Sequence, residues 1–252
     1  HDSVYPVSQT GSTGMAFEAG ASGKNLTEWQ FGMASLNPRW NVSGTYMQVL
    51  PSFISTDQDG NDEKEFLLDY ELPDLLSMVF LKGYQWPFDV NKIFGGSSVI
   101  DLLVYQETVL KKRRVFLDYR VNPGNLEKDR DLPYASMIPE AKEYLSQAGA
   151  CFGTPIERLK HMNEPAILFY QDHHVDLFKE RLEIAVCAQH NNGGLSTNHL
   201  WETNLSGLYA IGEVCASHGV TRPGGTALNA GQVGAVRAAE GIFLKKRTHM
   251  KE

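Results

Sequence analysis

No stretch of the 252 residues approaches the roughly 18 consecutive apolar residues a membrane-spanning helix requires. The chain opens His1-Asp2-Ser3-Val4-Tyr5, without a basic leader or an apolar h-region. A cytoplasmic protein without a transmembrane segment is therefore expected. Cysteine is scarce: Cys151, Cys187 and Cys215 are odd in number, far apart and free of any CxxC spacing, so neither a disulfide framework nor a thiolate zinc site is expected. No basic run interleaves with aromatics, and 23 Lys and Arg against 30 Asp and Glu leave a net charge of -7, which excludes nucleic acid as a partner. The adjacent His173 and His174 lack a third ligand at a metal spacing and read as a solvated helix end, so no metal is expected.

What is present suffices for a globular core, with 42% hydrophobic and 10% aromatic residues. Residues 11–21 join a glycine-rich turn to a short helix that Gly20 and Gly23 end, and Leu26 to Phe31 follow as a strand. From Thr45 the texture changes to apolar segments separated by Pro73, Pro87 and Gly95-Gly96. Asn91 to Lys112 carries an approximate helical stripe at Val99, Leu102, Leu103 and Leu110, and Val115 to Tyr119 reads as a strand. Residues 133–180 read as helical hairpins, Leu182 to Cys187 as a strand, and three glycine-rich clusters occupy the last seventy positions.

Those clusters carry the chemistry. Gly207 to Val214 reads as a turn, a buried strand and Glu213 at its end, where α/β folds bind ligands and a carboxylate can hold ribose hydroxyls. Arg222-Pro223-Gly224-Gly225 is a tight turn, and the small residues Thr226 to Gly234 open a helix whose free N–H groups stabilise negative charge. Arg222 offers a guanidinium fork for a carboxylate or phosphate just ahead of it. His190, between a strand and Gly193-Gly194, can present an imidazole to a cleft.

In this order the motifs resemble one family. His190-Asn191-Asn192-Gly193-Gly194-Leu195 resembles the His-x-Met-Gly-Gly-Ile motif of the succinate dehydrogenase, fumarate reductase and L-aspartate oxidase flavoproteins. Gly207 to Val214 resembles their Gly-Leu-Tyr-Ala-Ala-Gly-Glu-Val, and His218 to Leu228 their His-Gly-Ala-Asn-Arg-Leu-Gly-Gly-Asn-Ser-Leu. Thr10 to Ala21 and Glu28 to Phe31 are similar to two further motifs of that family.

The resemblance implies an α/β fold with an α+β cap: the C-terminal part of a Rossmann-like FAD-binding domain interrupted by a capping domain. Residues 1–44 would end its first FAD-domain segment, 45–180 form the cap and 181–252 the returning segment. FAD is the implied cofactor, with Glu213 on its ribose and Gly225, Thr226, Ala227 and Leu228 along the isoalloxazine edge. His190 and Arg222 are the implied catalytic pair, holding the carboxylates of a small-molecule substrate, and an electron-transfer partner of unspecified kind completes the cycle.

Two departures shape the expectation. No Gly-x-Gly-x-x-Gly turn for the FAD pyrophosphate occurs in these residues, so the chain alone is expected to be a fragment binding FAD weakly or not at all. The family's cap arginine has no counterpart in Phe94 to Ile100, nor its Gln-Phe-His-Pro-Thr histidine in Gln30 to Ala34. The leading expectation is hydride transfer between FAD and a small carboxylated substrate. The alternatives are an adenylylsulfate reductase-like flavoprotein and a non-catalytic stand-alone domain.

Overall fold

A computed structural model describes residues 11–125, 132–222 and 225–249. In chain order the helices are α1 (Ser12–Glu18), α2 (Thr45–Gln48), α3 (Leu72–Lys82), α4 (Ser98–Tyr105), α5 (Pro139–Gln147), α6 (Pro155–Asp172) and α7 (Thr226–His249). The strands are β1 (Gly23–Lys24), β2 (Trp29–Leu36), β3 (Arg39–Asn41), β4 (Ser52–Thr56), β5 (Lys64–Glu65), β6 (Arg114–Asp118), β7 (Leu182–Asn191) and β8 (Gly194–Leu195). The described residues form two compact units, one from 11–30 with 188–222 and 225–249, the other from 31–125 with 132–187. Both passages between them lie inside strands, β2 and β7. That explains why the second unit is longer at each end than the block expected at 45–180: strand pairing, invisible to a composition shift, carries residues 31–44 and 181–187 into its sheet.

The second unit is built on a six-stranded sheet of order β3-β2-β7-β6-β4-β5. β6 runs antiparallel to both β4 and β7, with Phe53 opposite Leu117 and Val115 opposite Ile184. β4 is buried along its whole length, as befits an inner strand. Helices cover the sheet with apolar faces. In α3, Leu75, Leu76, Val79 and Phe80 recur at helical spacing and are all buried. α6 begins with a capping box, Thr154 and Glu157 satisfying each other's backbone donors, and it kinks at Asn163 just ahead of Pro165. Arg158 is fully buried in this core, donating to Val49 O, Phe152 O, Gly153 O and Asn122 Oδ1. A buried guanidinium is tolerated because its donors are matched by fixed acceptors.

The single helix expected over Asn91 to Lys112 is divided. A 3₁₀ turn at Val90–Lys92 ends in the Gly95-Gly96 bend, α4 starts at Ser98, and a π-helical turn spans Gln106–Leu110. Gly96 is wedged against Lys92, where a Cβ would come within 2.7 Å of its carbonyl oxygen, so this bend between the two helical segments accepts only glycine.

The first unit has a small core of Ala21, Leu195, Ala210 and Cys215. Gly20 adopts φ +94 to end α1, as expected. β1 pairs with β8, Gly23 opposite Leu195. The strand expected across Leu208 to Ile211 is not formed among the described residues: Tyr209 makes one bridge to Glu202, Ile211 is 37% exposed, and Glu213 sits in a 3₁₀ turn, Gly212–Val214. An apolar run makes a strand only where a sheet edge receives it, and no second edge meets this run here. In α7 the buried positions are Gly234, Ala238 and Gly241, a stripe of small residues lying on Trp201 and Leu200, while Val233, Val236, Phe243 and Leu244 share another, exposed face. All three cysteines are free thiols, and no helix among the described residues is long and apolar enough to cross a membrane.

Candidate functional site

The site lies within the first unit, where three short segments converge. β7 ends at Asn191 and delivers His190, the 3₁₀ turn delivers Glu213, and the loop ahead of α7 delivers His218 and Arg222. Backbone close approach locks these segments together. A Cβ on Gly193 would fall 2.0 Å from Asn25 O, and one on Gly194 would fall 2.2 Å from Val214 O. Asn192 N donates to Glu28 O at 2.8 Å and its side chain to Val220 O at 2.6 Å. The Gly-Gly pair is thus required by packing density, with no space for even a methyl group. Gly194→Ala is expected to destabilise the chain by about 2–3 kcal/mol or more, because the clash is with main chain rather than a side chain that can swing away. A urea midpoint unchanged from the parent protein would refute this.

Glu213 joins the cluster: its Oε1 is 3.4 Å from His190 Nδ1 and 3.3 Å from Arg222 Nε. His190 and His218 stand with ring centroids 5.9 Å apart. His190 is 13% and Arg222 23% exposed, whereas Glu213 is 42% exposed. Burial pushes His190 below the usual histidine range; the Glu213 carboxylate opposes this, and Arg222 and His218 add to it. Burial and then Arg222 depress His218 likewise, against Glu213 and the nearby backbone of Thr226, although no hydrogen bond of good geometry reaches either of its ring nitrogens. Both imidazoles are held toward their neutral form, able to donate from one nitrogen and accept at the other. Beside the cluster opens a cavity of about 610 Å³ whose lining includes Thr13, Trp29, His190, Gly193 and Glu213.

The structure therefore brings His190, Arg222 and Glu213 into one cluster, although the sequence assigns the first two to substrate and the third to cofactor. Gly225 and Thr226 mark the start of α7, with Thr226 and Ala227 half-buried and Leu228 78% exposed. Pro223 and Gly224 lie outside the described residues. Gly225 has φ +80 and open space where a Cβ would project, so the helix N-terminus can be approached closely. With the partly exposed Glu213, these residues fit the ribose and flavin edge of an FAD. For its pyrophosphate the described residues offer no glycine-rich turn. Sequence reasoning passed over His218 and Asn192. The available signal for His218 was a second histidine four residues before Arg222; Asn192 is a buried side chain whose role depends on neighbours distant in sequence.

Comparison with known proteins agrees with this chemistry. The FAD binding domain family matches residues 114–228. Over 102 residues the chain is 34% identical to one subunit of the fumarate reductase (CoM/CoB) of Methanothermobacter marburgensis, covering 38% of this chain and 19% of that protein. Over 60 residues it is 45% identical to an uncharacterized FAD-dependent oxidoreductase of Methanocaldococcus jannaschii, covering 23% of this chain and 11% of that protein. Among solved structures, a mutant of the E. coli quinol fumarate reductase FrdA aligns with a TM-score of 0.40 and 21% identity, over 90% of this chain and 35% of that one. The chain thus spans about a fifth or less of the length of these curated relatives. Residues 114–228 are thus similar to an FAD binding domain, and the relatives matched over part of the chain are a fumarate reductase subunit and an FAD-dependent oxidoreductase.

Proposed function

We propose that the chain forms the substrate-proximal part of an FAD-dependent oxidoreductase that moves a hydride between the flavin and a small carboxylated organic substrate. One observation supports this above the rest: His190 and Arg222 converge on a single carboxylate oxygen, Glu213 Oε1, at 3.4 and 3.3 Å. Glu213 here stands in for a substrate carboxylate. A guanidinium and an imidazole held at one edge of a cavity make an anion-binding pair, and partial burial strengthens their attraction for a carboxylate.

When bound, FAD supplies the hydride acceptor and donor, N5 of the isoalloxazine. Glu213, as the most exposed of the three, turns outward to the ribose hydroxyls and leaves the pair free for substrate. Arg222 fixes the carboxylate in orientation, and His190, neutral through burial, donates one further hydrogen bond to it. The N-terminal N–H groups of α7 stabilise negative charge along the flavin edge. The exposed apolar face of α7 at Val233, Val236, Phe243 and Leu244 packs against the remainder of the FAD domain in the longer protein, and the Phe31–Cys187 unit serves as the cap.

The test is anaerobic reoxidation of the dithionite-reduced, full-length protein, followed by flavin absorbance on adding fumarate, and bleaching of the oxidised flavin by succinate or aspartate. Reaction with one of these dicarboxylates is expected. Reaction with sulfite and AMP alone would replace the substrate class with the adenylylsulfate type, and a full-length protein purified without flavin would overturn the proposal.

A further inference from the structure

A cavity of about 230 Å³ in the second unit is walled by residues of β2, β7, α4 and the loop after α3. Its lining is Phe31, Phe88, Asp101, Leu102, Tyr105 and Val186, none of which belongs to the cluster around Glu213. Asp101 is the one charged member. Its side chain is 2% exposed, Lys82 Nζ donates to Oδ2, and Oδ1 is buried with no hydrogen-bond partner. A carboxylate oxygen taken out of water and given no donor is costly, and few native side chains are left so without a reason. We propose that this cavity binds a neutral aromatic compound of one or two rings carrying a single N–H or O–H donor, which Asp101 Oδ1 accepts.

Size sets the first limit. At about 230 Å³ the cavity is smaller than the roughly 300–1,000 Å³ of sites that hold drug-sized ligands, which restricts the occupant to one or two rings. Phe31, Phe88 and Tyr105 supply aromatic walls, and their edges and faces favour a further ring. Charge sets the second limit. An anion would meet the Asp101 carboxylate, and a cation would meet the Lys82 ammonium held on that same carboxylate. A neutral donor meets neither repulsion. The walls are also fixed before a ligand arrives: Phe88 N donates to Phe31 O at 2.7 Å, Asp89 N to Ser98 Oγ at 3.0 Å and Ser97 N to Gln85 Oε1 at 3.1 Å. These bonds tie the loop to β2 and to the start of α4, so binding requires little ordering of the protein. Phe31, Leu102 and Tyr105 are each partly exposed and form an apolar rim.

The experiment is calorimetric titration of the chain with indole, with benzofuran, which has the same shape and no N–H, and with indole-2-carboxylate. Saturable binding of one equivalent of indole is expected. Benzofuran should bind at least tenfold more weakly, the effect of losing a hydrogen bond to a charged acceptor, and the carboxylate should give no saturable heat. Leu102→Trp, which fills the cavity from its rim, should weaken indole binding at least tenfold. Phe94→Ala, at a side chain 93% exposed and outside the lining, should leave it unchanged. No saturable indole binding, or benzofuran or indole-2-carboxylate binding as tightly as indole, overturns the proposal on the parent chain with no variant needed. So does binding that survives Leu102→Trp in a variant with parental circular dichroism, or binding abolished by Phe94→Ala. The full-length protein should bind indole with the same stoichiometry; loss there would mean that the rest of the polypeptide fills the cavity, which also overturns the proposal. Failure here leaves the flavin reading intact, since that rests on absorbance and turnover of the full-length protein.

Discussion

Arg222→Ala in the full-length protein should lower kcat/KM for a carboxylated substrate by roughly 30-fold to several thousandfold. The range follows from the cost of truncating one member of a desolvated charge pair, about 2–5 kcal/mol, at about 1.4 kcal/mol per factor of ten. Arg222 is 23% exposed and stands 3.3 Å from a carboxylate oxygen, so its charge is only partly screened. Arg222→Lys should recover little, because a point charge cannot reproduce the planar fork. His190→Gln should cost less, as it removes a neutral hydrogen bond rather than a charge. Flavin content should remain near parental in Arg222→Ala, since the guanidinium faces the substrate side of Glu213. Parental kcat/KM in that variant would remove Arg222 from substrate binding.

Lys82→Met should destabilise the chain by about 3–5 kcal/mol, at the cost expected when one member of a buried ion pair is removed. Lys82 and Asp101 are 0% and 2% exposed, and Lys82 Nζ donates to an Asp101 carboxylate oxygen and to Gln85 O. Burial depresses the Lys82 ammonium and raises the Asp101 carboxyl, each opposed by the other's charge. Remove Lys82, and Asp101 is left buried with its second oxygen already unpartnered. The double change Lys82→Met/Asp101→Leu should regain most of the loss, because no uncompensated charge remains. For a chain of this size the single variant should melt about 10 °C lower. A single variant as stable as the parent, or a double variant no better than the single, would show that the pair does not act as a unit.

The helices over Ser12–Glu18 and Thr226–His249 are legible because the Gly20 stop and the small residues after the Arg222 to Gly225 turn act within a few residues, whereas 133–180 reads only as helical hairpins and the Thr154 capping box that starts Pro155–Asp172 is a finding of the structure. The strand at Arg114–Asp118 was legible for the same reason: an apolar, β-branched run ending in a turn. The Leu208 to Ile211 run misled because its composition suits a strand while its hydrogen bonding depends on an edge elsewhere. Asn91 to Lys112 misled because a weak helical stripe outweighed Gly95-Gly96.

The site divides along the same line. His190, Arg222 and Glu213 could be named from local motifs, since a glycine-rich turn restricts the backbone wherever it occurs. By itself the sequence determined which chemical groups are available: an imidazole after a strand, a guanidinium before a helix, a carboxylate after a glycine, and the resemblance those motifs carry. Only the tertiary structure decided that one Glu213 oxygen lies between His190 and Arg222, and that His218 closes the group. Such distances are set by main-chain contacts between segments far apart in sequence, above all Gly193 on Asn25 and Gly194 on Val214, and no local pattern records a contact of that kind.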